Sequence, residues 1–174
     1  MKKVLSVLAV AALVLVSFSG CNGDKTYTDI LTQSKGWVLS SATSTPAYRM
    51  MDGSFVEDLM HDGYLKNFEN EYVITFNADG SEYVKPGKTV APEDYEGDAY
   101  RAETKIGTWR FDNELIPILL YMQVPFFYDE DVEVCQISSL TEKELKIRCT
   151  IQDYNPEAKY DNDCTFTLTF VPAK

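Results

Sequence analysis

Apolar and polar residues alternate along several short stretches of this chain, as they do in β-strands with one buried and one exposed face. The stretch LKIRCTIQD at 145–153 shows this alternation, and DCTFTLTFV at 163–171 continues it without a fault. In the second stretch three threonines share one face, and the opposite face carries Cys164, Phe166, Leu168 and Phe170. The pattern predicts antiparallel strands around one core.

The clearest turn lies within EYVITFNADGSEYVKP at 71–86. Tyr72, Ile74 and Phe76 alternate with their neighbours up to NADG, which is typical of a type I turn in which Gly80 adopts a positive φ. Val84 then lies on the returning strand, so this segment predicts a β-hairpin.

Eight stretches in all show strand patterns, and most are joined by short turns. They are 37–43, two within 71–86, 105–111, 114–122, 132–140, 145–153 and 163–171. This arrangement predicts an all-β domain, an eight-stranded antiparallel up-and-down barrel, and a two-sheet β-sandwich fits the same number of strands. A barrel of this size is either filled by side chains or holds one small ligand.

Two segments depart from the strand periodicity. YTDILTQSKGW at 27–37 predicts a short helix that is capped by Thr28 or Asp29 and ends near Gly36. Residues 44–69 are irregular, with a short helix expected around SFVEDLM, and they could cover one mouth of the barrel.

The stretch ELIPILLYMQVPFF at 114–127 is apolar on both faces. Pro117 lacks the N–H of one ladder bond and so favours an edge or a bulge. Either the N-terminal helix covers the outer face, or the tip of the stretch binds a partner. The candidate residues for such a partner surface are Val124, Pro125, Phe126 and Phe127.

The beginning of the chain has the three parts of a secretory signal: Lys2 and Lys3, an apolar run at 4–16, and the small residues Ser19 and Gly20. The run is shorter than the roughly 20 residues that a membrane-spanning helix needs. FSGC at 18–21 resembles a bacterial lipobox, which implies that the thiol of Cys21 is acylated. Asn22 stands where Asp favours retention in the inner membrane of Gram-negative bacteria, so the resemblance implies the outer membrane.

These features predict a signal peptide at 1–20, a lipidated tether at 21–27 and one domain at 28–174. The whole chain has 27 acidic and 16 basic residues and a net charge of −11, and loss of Lys2 and Lys3 brings the mature side chains to −13. This charge argues against nucleic acid and against anionic lipid head groups as partners.

The order of four motifs resembles the lipocalin-like domain of bacterial lipoproteins, a calycin-type barrel. The motifs are KGWVLSS, ITFNADGSEYV, IGTWRF and ISSLTEKELKI, within a resemblance that spans 28–171. Lipocalins have Gly and Trp two residues apart on the first strand, whereas Gly36 and Trp37 are adjacent here and the spacing occurs at Gly107 and Trp109. The resemblance implies a barrel that binds an apolar or amphipathic small molecule.

Three cysteines remain besides Cys21, in a compartment that permits disulfides. If the last hairpin is symmetric about residues 156 and 157, Cys149 lies opposite Cys164, and these two are the main disulfide candidates. A four-residue TEKE loop pairs Leu140 with Leu145 and places Gln136 opposite Cys149, but a slip of one residue would bring Cys135 there instead. Three reduced, buried cysteines are the remaining alternative.

Six aromatic residues are expected to face inward, either as the wall of a ligand cavity or as a filled core. They are Trp37, Tyr72, Phe76, Trp109, Phe111 and Phe166.

No cofactor, metal site or catalytic motif is expected. His61 is the only histidine, and the acidic clusters, which could supply some ligands for calcium, are better explained as solvated loops. The sequence therefore predicts a non-enzymatic, lipid-anchored outer-membrane lipoprotein that binds a small hydrophobic or amphipathic molecule. The alternative is a surface module that binds a protein or a glycan.

Overall fold

The computed structural model describes residues 25–33, 35–50, 52–60, 72–86, 102–124, 133–151, 154–155, 160–161 and 163–174. These residues contain one helix, α1 (Tyr27–Leu31). Their strands are β1 (Trp37–Arg49), β2 (Phe55–Asp58), β3 (Tyr72–Phe76), β4 (Ser81–Pro86), β5 (Thr104–Thr108), β6 (Arg110–Phe111), β7 (Leu119–Met122), β8 (Glu133–Thr141), β9 (Glu144–Ile151), β10 (Tyr154–Asn155), β11 (Tyr160–Asp161) and β12 (Cys164–Pro172).

One antiparallel sheet contains most of these strands, in the order β5-β4-β3-β1-β12-β9-β8-β7-β6, with β2 paired to β1 outside this order. The two ends of the order, β5 and β6, are one chain segment interrupted only at Trp109. The segment pairs with β4 before the interruption and with β7 after it, so the sheet nearly closes on itself. The predicted up-and-down barrel is confirmed, and the alternative of two stacked sheets is not.

The sheet has ten strands within the described residues, against the eight expected from the sequence. The predicted strand at 105–111 is divided at Trp109, and β2 is an additional strand. When β5 and β6 are taken as one interrupted strand and β2, β10 and β11 are set aside, each strand of the ring lies beside the next ring strand along the chain.

The alternating faces of the last two ring strands pack as their sequences predict. Phe166, Leu168 and Phe170 of β12 lie opposite Cys149, Ile147 and Leu145 of β9, respectively. All six side chains are buried, because cross-strand partners point to the same face of a sheet.

β2 replaces the short helix predicted around SFVEDLM, so that prediction is wrong. β1 pairs with β3 only at Trp37 and Ile74, and beyond that point its open edge binds β2 instead. Val56 points into the core, and the N–H of Leu59 donates to the carbonyl of Ala42 at 2.9 Å. Backbone pairing to an open edge outweighs the helical pattern of this stretch.

Helix α1 begins earlier and ends earlier than predicted. Its cap is Thr26, rather than Thr28 or Asp29, since the Thr26 hydroxyl accepts from the N–H of Asp29 and the Asp29 carboxylate accepts from the N–H of Thr26. Gly36 lies five residues beyond the helix and has φ of 70°, and a Cβ there would lie 2.7 Å from the carbonyl oxygen of Ile74. Gly36 therefore forms the close approach between the segment before β1 and strand β3.

The β3–β4 hairpin forms as predicted. Gly80 has φ of 83°, and its N–H donates to the carbonyl of Asn77 at 3.0 Å. The Asp79 carboxylate accepts from the N–H of Ser81 at 2.9 Å, which fixes the start of β4.

The strand directions place the short connections at one end of the barrel, which we call the helix end. Here lie α1, the turns at 77–80 and 142–143, and the segment at 112–118 between β6 and β7. The connections that follow β1, β4, β7 and β9 leave from the opposite end, which we call the far end.

The segment before β7 is not the strand that the sequence predicts from 114 onwards, and α1 does not cover it. Two side chains hold residues 112–118 as a loop. Asp112 accepts from the N–H groups of Ile118 and Leu119, and Asn113 accepts from those of Leu115 and Ile116.

Helix α1 packs against the core instead of this segment. Its apolar residues Ile30 and Leu31 are buried there.

Candidate ligand-binding site in the barrel interior

The six aromatic residues predicted to face inward are all buried, and none exposes more than 8 % of its surface. They all belong to one hydrophobic core cluster in the barrel interior. The structure brings three of them into one group, and the others pack elsewhere. The group consists of Phe76, Trp109 and Phe111.

Trp109 is the centre of this group. Its ring meets Phe76 and Phe111 edge to face, with ring centroids 5.9 Å and 5.4 Å apart. Its indole N–H donates to the carbonyl of Asn77 at 2.9 Å, and its backbone N–H donates to the carbonyl of Gly80 at 2.8 Å. The backbone of Trp109 thus bonds to the β3–β4 turn at the point where β5 ends and β6 begins.

The other aromatic side chains support different parts of the barrel. Trp37 is fully buried, and its indole N–H donates to the carbonyl of Leu31 at 2.8 Å, which fixes α1 at the helix end. Phe166 packs edge to face against Tyr48, with centroids 5.5 Å apart. Tyr72 is buried on β3.

Glu82 is an acidic residue on the inward face of the barrel. It lies on β4 between Phe76 of β3 and Gly107 of β5, its two cross-strand partners. Its side chain exposes none of its surface to solvent. One carboxyl oxygen, Oε2, accepts from the backbone N–H of Gln123 at 2.8 Å, whereas Oε1 has no hydrogen-bond partner among the described residues.

The position of Glu82 follows from the way the barrel closes. Gln123 directly follows β7 and lies next to Gly107, where a Cβ would be 3.2 Å from the Cβ of Gln123. The small residue at 107 lets the chain after β7 approach β5, and the Glu82 carboxyl bridges from β4 to Gln123. The Glu82 side chain therefore links β4, which pairs with β5, to the residue that follows β7, which pairs with β6.

Burial raises the pKa of Glu82 from 4.5 to about 8, and the hydrogen bond from Gln123 opposes part of this rise. At neutral pH the carboxyl group is therefore largely protonated. A protonated carboxyl can accept the N–H of Gln123 at one oxygen and donate its own O–H from the other. A ligand group that accepts hydrogen bonds would satisfy the oxygen that has no partner.

Glu82 is not among the site residues predicted from the sequence, although the hairpin contains a signal for it. Residues 82 and 84 are two apart on β4, so an apolar Val84 on the inner face places Glu82 on that face as well. The polar sequence DGSE around it is typical of a turn, which hides this signal.

The disulfide is formed by Cys135 and Cys149, so the main prediction of a bridge between Cys149 and Cys164 is wrong. Leu140 pairs with Leu145 as predicted, but a β-bulge between Ile137 and Ser139 shifts the register by one residue. Cys135 therefore lies opposite Cys149, with their Cα atoms 4.6 Å apart.

The register of the last hairpin explains why Cys164 is left out. β9 and β12 pair so that Cys164 lies opposite Ile151, and Cys149 lies opposite Phe166. Cys164 is thus a buried, reduced cysteine on the same inner face as the disulfide.

The predicted partner surface is not supported at Val124, which is fully buried in the core. Pro125, Phe126 and Phe127 lie outside the described residues, as do Cys21 and His61. The acidic clusters at 93–98 and 129–132 also lie outside them.

Within the described ranges, no three histidine, cysteine or acidic side chains form a group that could hold a metal ion. In the same part of the chain, no helix combines the length and the apolar character needed to cross a bilayer.

Comparison with models of known protein families finds no match, and comparison with curated protein sequences finds no similar protein. The fold and the chemistry of Glu82 are therefore the basis for a functional proposal.

Proposed function

We propose that the protein is a lipid-anchored, lipocalin-like outer-membrane lipoprotein whose barrel binds a small amphipathic molecule. The apolar part of the ligand packs among inward-facing aromatic side chains, and its polar group bonds to Glu82. The role is binding rather than catalysis.

The observation that supports this proposal is the buried Oε1 atom of Glu82, which has no hydrogen-bond partner among the described residues. Burying a polar atom without a partner costs about 1–3 kcal/mol. Leucine in this place would avoid that cost. A carboxyl group in an apolar interior is the kind of convergent polar group by which ligand sites fix the orientation of their ligands.

Binding should depend on the protonation of Glu82. A fluorescent long-chain fatty acid methyl ester serves as the probe, because the ester accepts hydrogen bonds and does not titrate. We expect the native chain to bind it at pH 6 and to bind about tenfold more weakly at pH 9.5, where the ionised carboxylate no longer donates. Fluorescence titration measures both affinities.

Two variants control this titration. Glu82→Gln keeps a donor and an acceptor and should bind the ester equally at both pH values. Glu82→Leu lacks both groups and should bind weakly at both, with circular dichroism used to check that the barrel still folds. An unchanged probe signal across a panel of esters, fatty acids and porphyrins would reject an interior ligand.

The proposed anchor is the thiol of Cys21. Basic, apolar and small residues precede it in the order of a secretory signal, and FSGC resembles a lipobox. Several acyl chains hold a protein firmly at a membrane without a spanning helix, since each buried methylene contributes about 0.8 kcal/mol.

Cys21→Ser should move the protein from the membrane fraction to the soluble fraction of its host. Intact mass spectrometry of the native protein should show the mass of acyl chains on a chain that begins at Cys21, and outer and inner membranes should be separated by density. Recovery of an unmodified Cys21, or of the variant in the same membrane fraction, would contradict acyl anchoring.

A further inference from the structure

The loop between β6 and β7 exposes three large apolar side chains next to one another. Leu115, Ile116 and Ile118 expose 83 %, 59 % and 51 % of their surfaces. We refer to residues 115–118 as the apolar loop. Scattered exposed apolar residues are common in soluble proteins, whereas an adjacent group of them marks an interaction site.

The fold holds these side chains in solvent. The Asn113 side chain accepts from the N–H groups of Leu115 and Ile116 at 2.8 and 3.2 Å, and the Asp112 side chain accepts from that of Ile118 at 3.0 Å. Pro117 is buried, and the carbonyl of Ile118 accepts from Ile137 at 2.8 Å. The backbone of the loop is thus bonded on both sides of its exposed residues.

The apolar loop lies at the helix end of the barrel, where the described chain begins at Lys25. The Lys25 ammonium pairs with Glu142 in the β8–β9 turn. Glu142 is five residues beyond Ile137, the residue bonded to Ile118, or about 17 Å along a strand. Lys25 and the apolar loop therefore both lie at the helix end, separated by about this length of β8.

The distance to the proposed anchor is also short. Cys21 precedes Lys25 by four residues, which span at most about 14 Å when fully extended. An acyl chain on Cys21 would keep the helix end at the membrane surface, with the apolar loop facing the lipid.

We propose that the apolar loop inserts into the interface of the membrane to which Cys21 is anchored, so that the helix end of the barrel faces the bilayer. This inference rests on the proposed acylation of Cys21. The occupant is the lipid interface itself, into which apolar side chains of peripheral proteins insert by about 5–10 Å.

The contact is apolar rather than electrostatic. Asp112 and Glu114 flank the loop, and the mature chain is strongly acidic, so anionic lipid would repel this end. Zwitterionic phosphatidylcholine is therefore the suitable lipid for a test, and binding through the loop should change little with salt.

A tryptophan at position 116 should report insertion directly. The full, lipidated Ile116→Trp chain is reconstituted in vesicles of phosphatidylcholine with brominated acyl chains, which quench nearby indoles. The matched control is Phe55→Trp, because Phe55 is 69 % exposed and lies on β2 at the far end. Native Trp37 and Trp109 are buried and contribute the same background to both variants.

We expect strong quenching at position 116 and little at position 55. Equal quenching at the two positions would overturn the proposal even if Cys21 is acylated. Self-association would also overturn it. In that case sedimentation would show that a second copy of the chain shields the indole at position 116.

Flotation of the unacylated mature chain, residues 21–174 without the apolar run at 4–16, separates the loop from the anchor. Cys21→Ser protein should bind phosphatidylcholine vesicles weakly, and adding Leu115→Ser and Ile118→Ser should reduce the bound fraction about tenfold or more. Adding Phe55→Ser should leave it unchanged. If mass spectrometry finds no acylation, the proposed anchor fails, and this comparison still decides whether the loop inserts.

Discussion

Glu82→Gln should remove most of the pH dependence of stability between pH 5 and pH 8. The pKa of Glu82 is raised from 4.5 to about 8 in the folded chain, so folding favours the protonated acid. The native state then binds more protons than the unfolded state in this range, and the free energy of unfolding falls as the pH rises. The stability that comes from the protonated Glu82 is lost completely only above the pKa of this group in the folded chain.

The expected size of the effect is a few kcal/mol. A difference of one bound proton changes stability by roughly 1 kcal/mol per pH unit, and the two pKa values bracket about three units. Glutamine does not titrate and can still accept the N–H of Gln123. The variant should therefore match the native chain near pH 4.5 and exceed it at pH 8.

Urea unfolding at four pH values between 5 and 8 measures this difference. Glu57→Gln is the control, because Glu57 is exposed on β2 and its replacement should leave the pH profile parallel to that of the native chain. If the Glu82→Gln and native profiles are parallel as well, the carboxyl is not a buried acid in solution.

Loss of the disulfide between Cys135 and Cys149 should lower the free energy of unfolding by about 3 kcal/mol. The bridge joins residues separated by 14 positions, and a loop of this length restricts the unfolded chain by about that amount. The variant carries Cys135→Ala and Cys149→Ala. Urea unfolding with and without reductant gives the same quantity for the native chain.

Cys164→Ala is the matched control for this variant. It removes a buried sulfur from the same face of the barrel and leaves the bridge intact, so reductant should still destabilise it. Digestion without reduction should recover a linked peptide pair that contains residues 135 and 149. Recovery of residues 149 and 164 as the linked pair would restore the pairing expected from the sequence.

The sequence predicts the barrel because apolar and polar residues alternate strictly in β9 and β12. In β12 each change from apolar to polar residue corresponds to a change from buried to partly exposed side chain. NADG specifies its turn through local backbone chemistry alone, and Gly80 adopts the expected φ. These features depend only on residues that are close to one another in the sequence.

Two of the errors share one physical cause, which is that register and edge pairing depend on distant strands. A bulge next to Ser138 decides which cysteine lies opposite Cys149, and local patterns do not locate bulges. β2 becomes a strand because β1 has an open edge there. Asp112 and Asn113 turn an apolar stretch into a loop, although its composition favours a strand.

The candidate site was predicted only in its apolar part. The aromatic residues face the core as alternation requires, whereas the meaning of Glu82 depends on Gln123, which is 41 residues away in the sequence. No periodicity in either segment predicts that contact. Lys25 and the apolar loop likewise reach the same end of the barrel only through the order of strands in the ring.

The pairing of β1 with β12 has a consequence for how the chain folds after its synthesis. These two strands are the first and the last of the ring, and they pair from Trp37 with Pro172 to Thr45 with Thr165. A growing chain therefore exposes this edge of β1 until β12 has been made. Truncation within 164–172 would leave two unprotected strand edges, which favour aggregation over a smaller folded product.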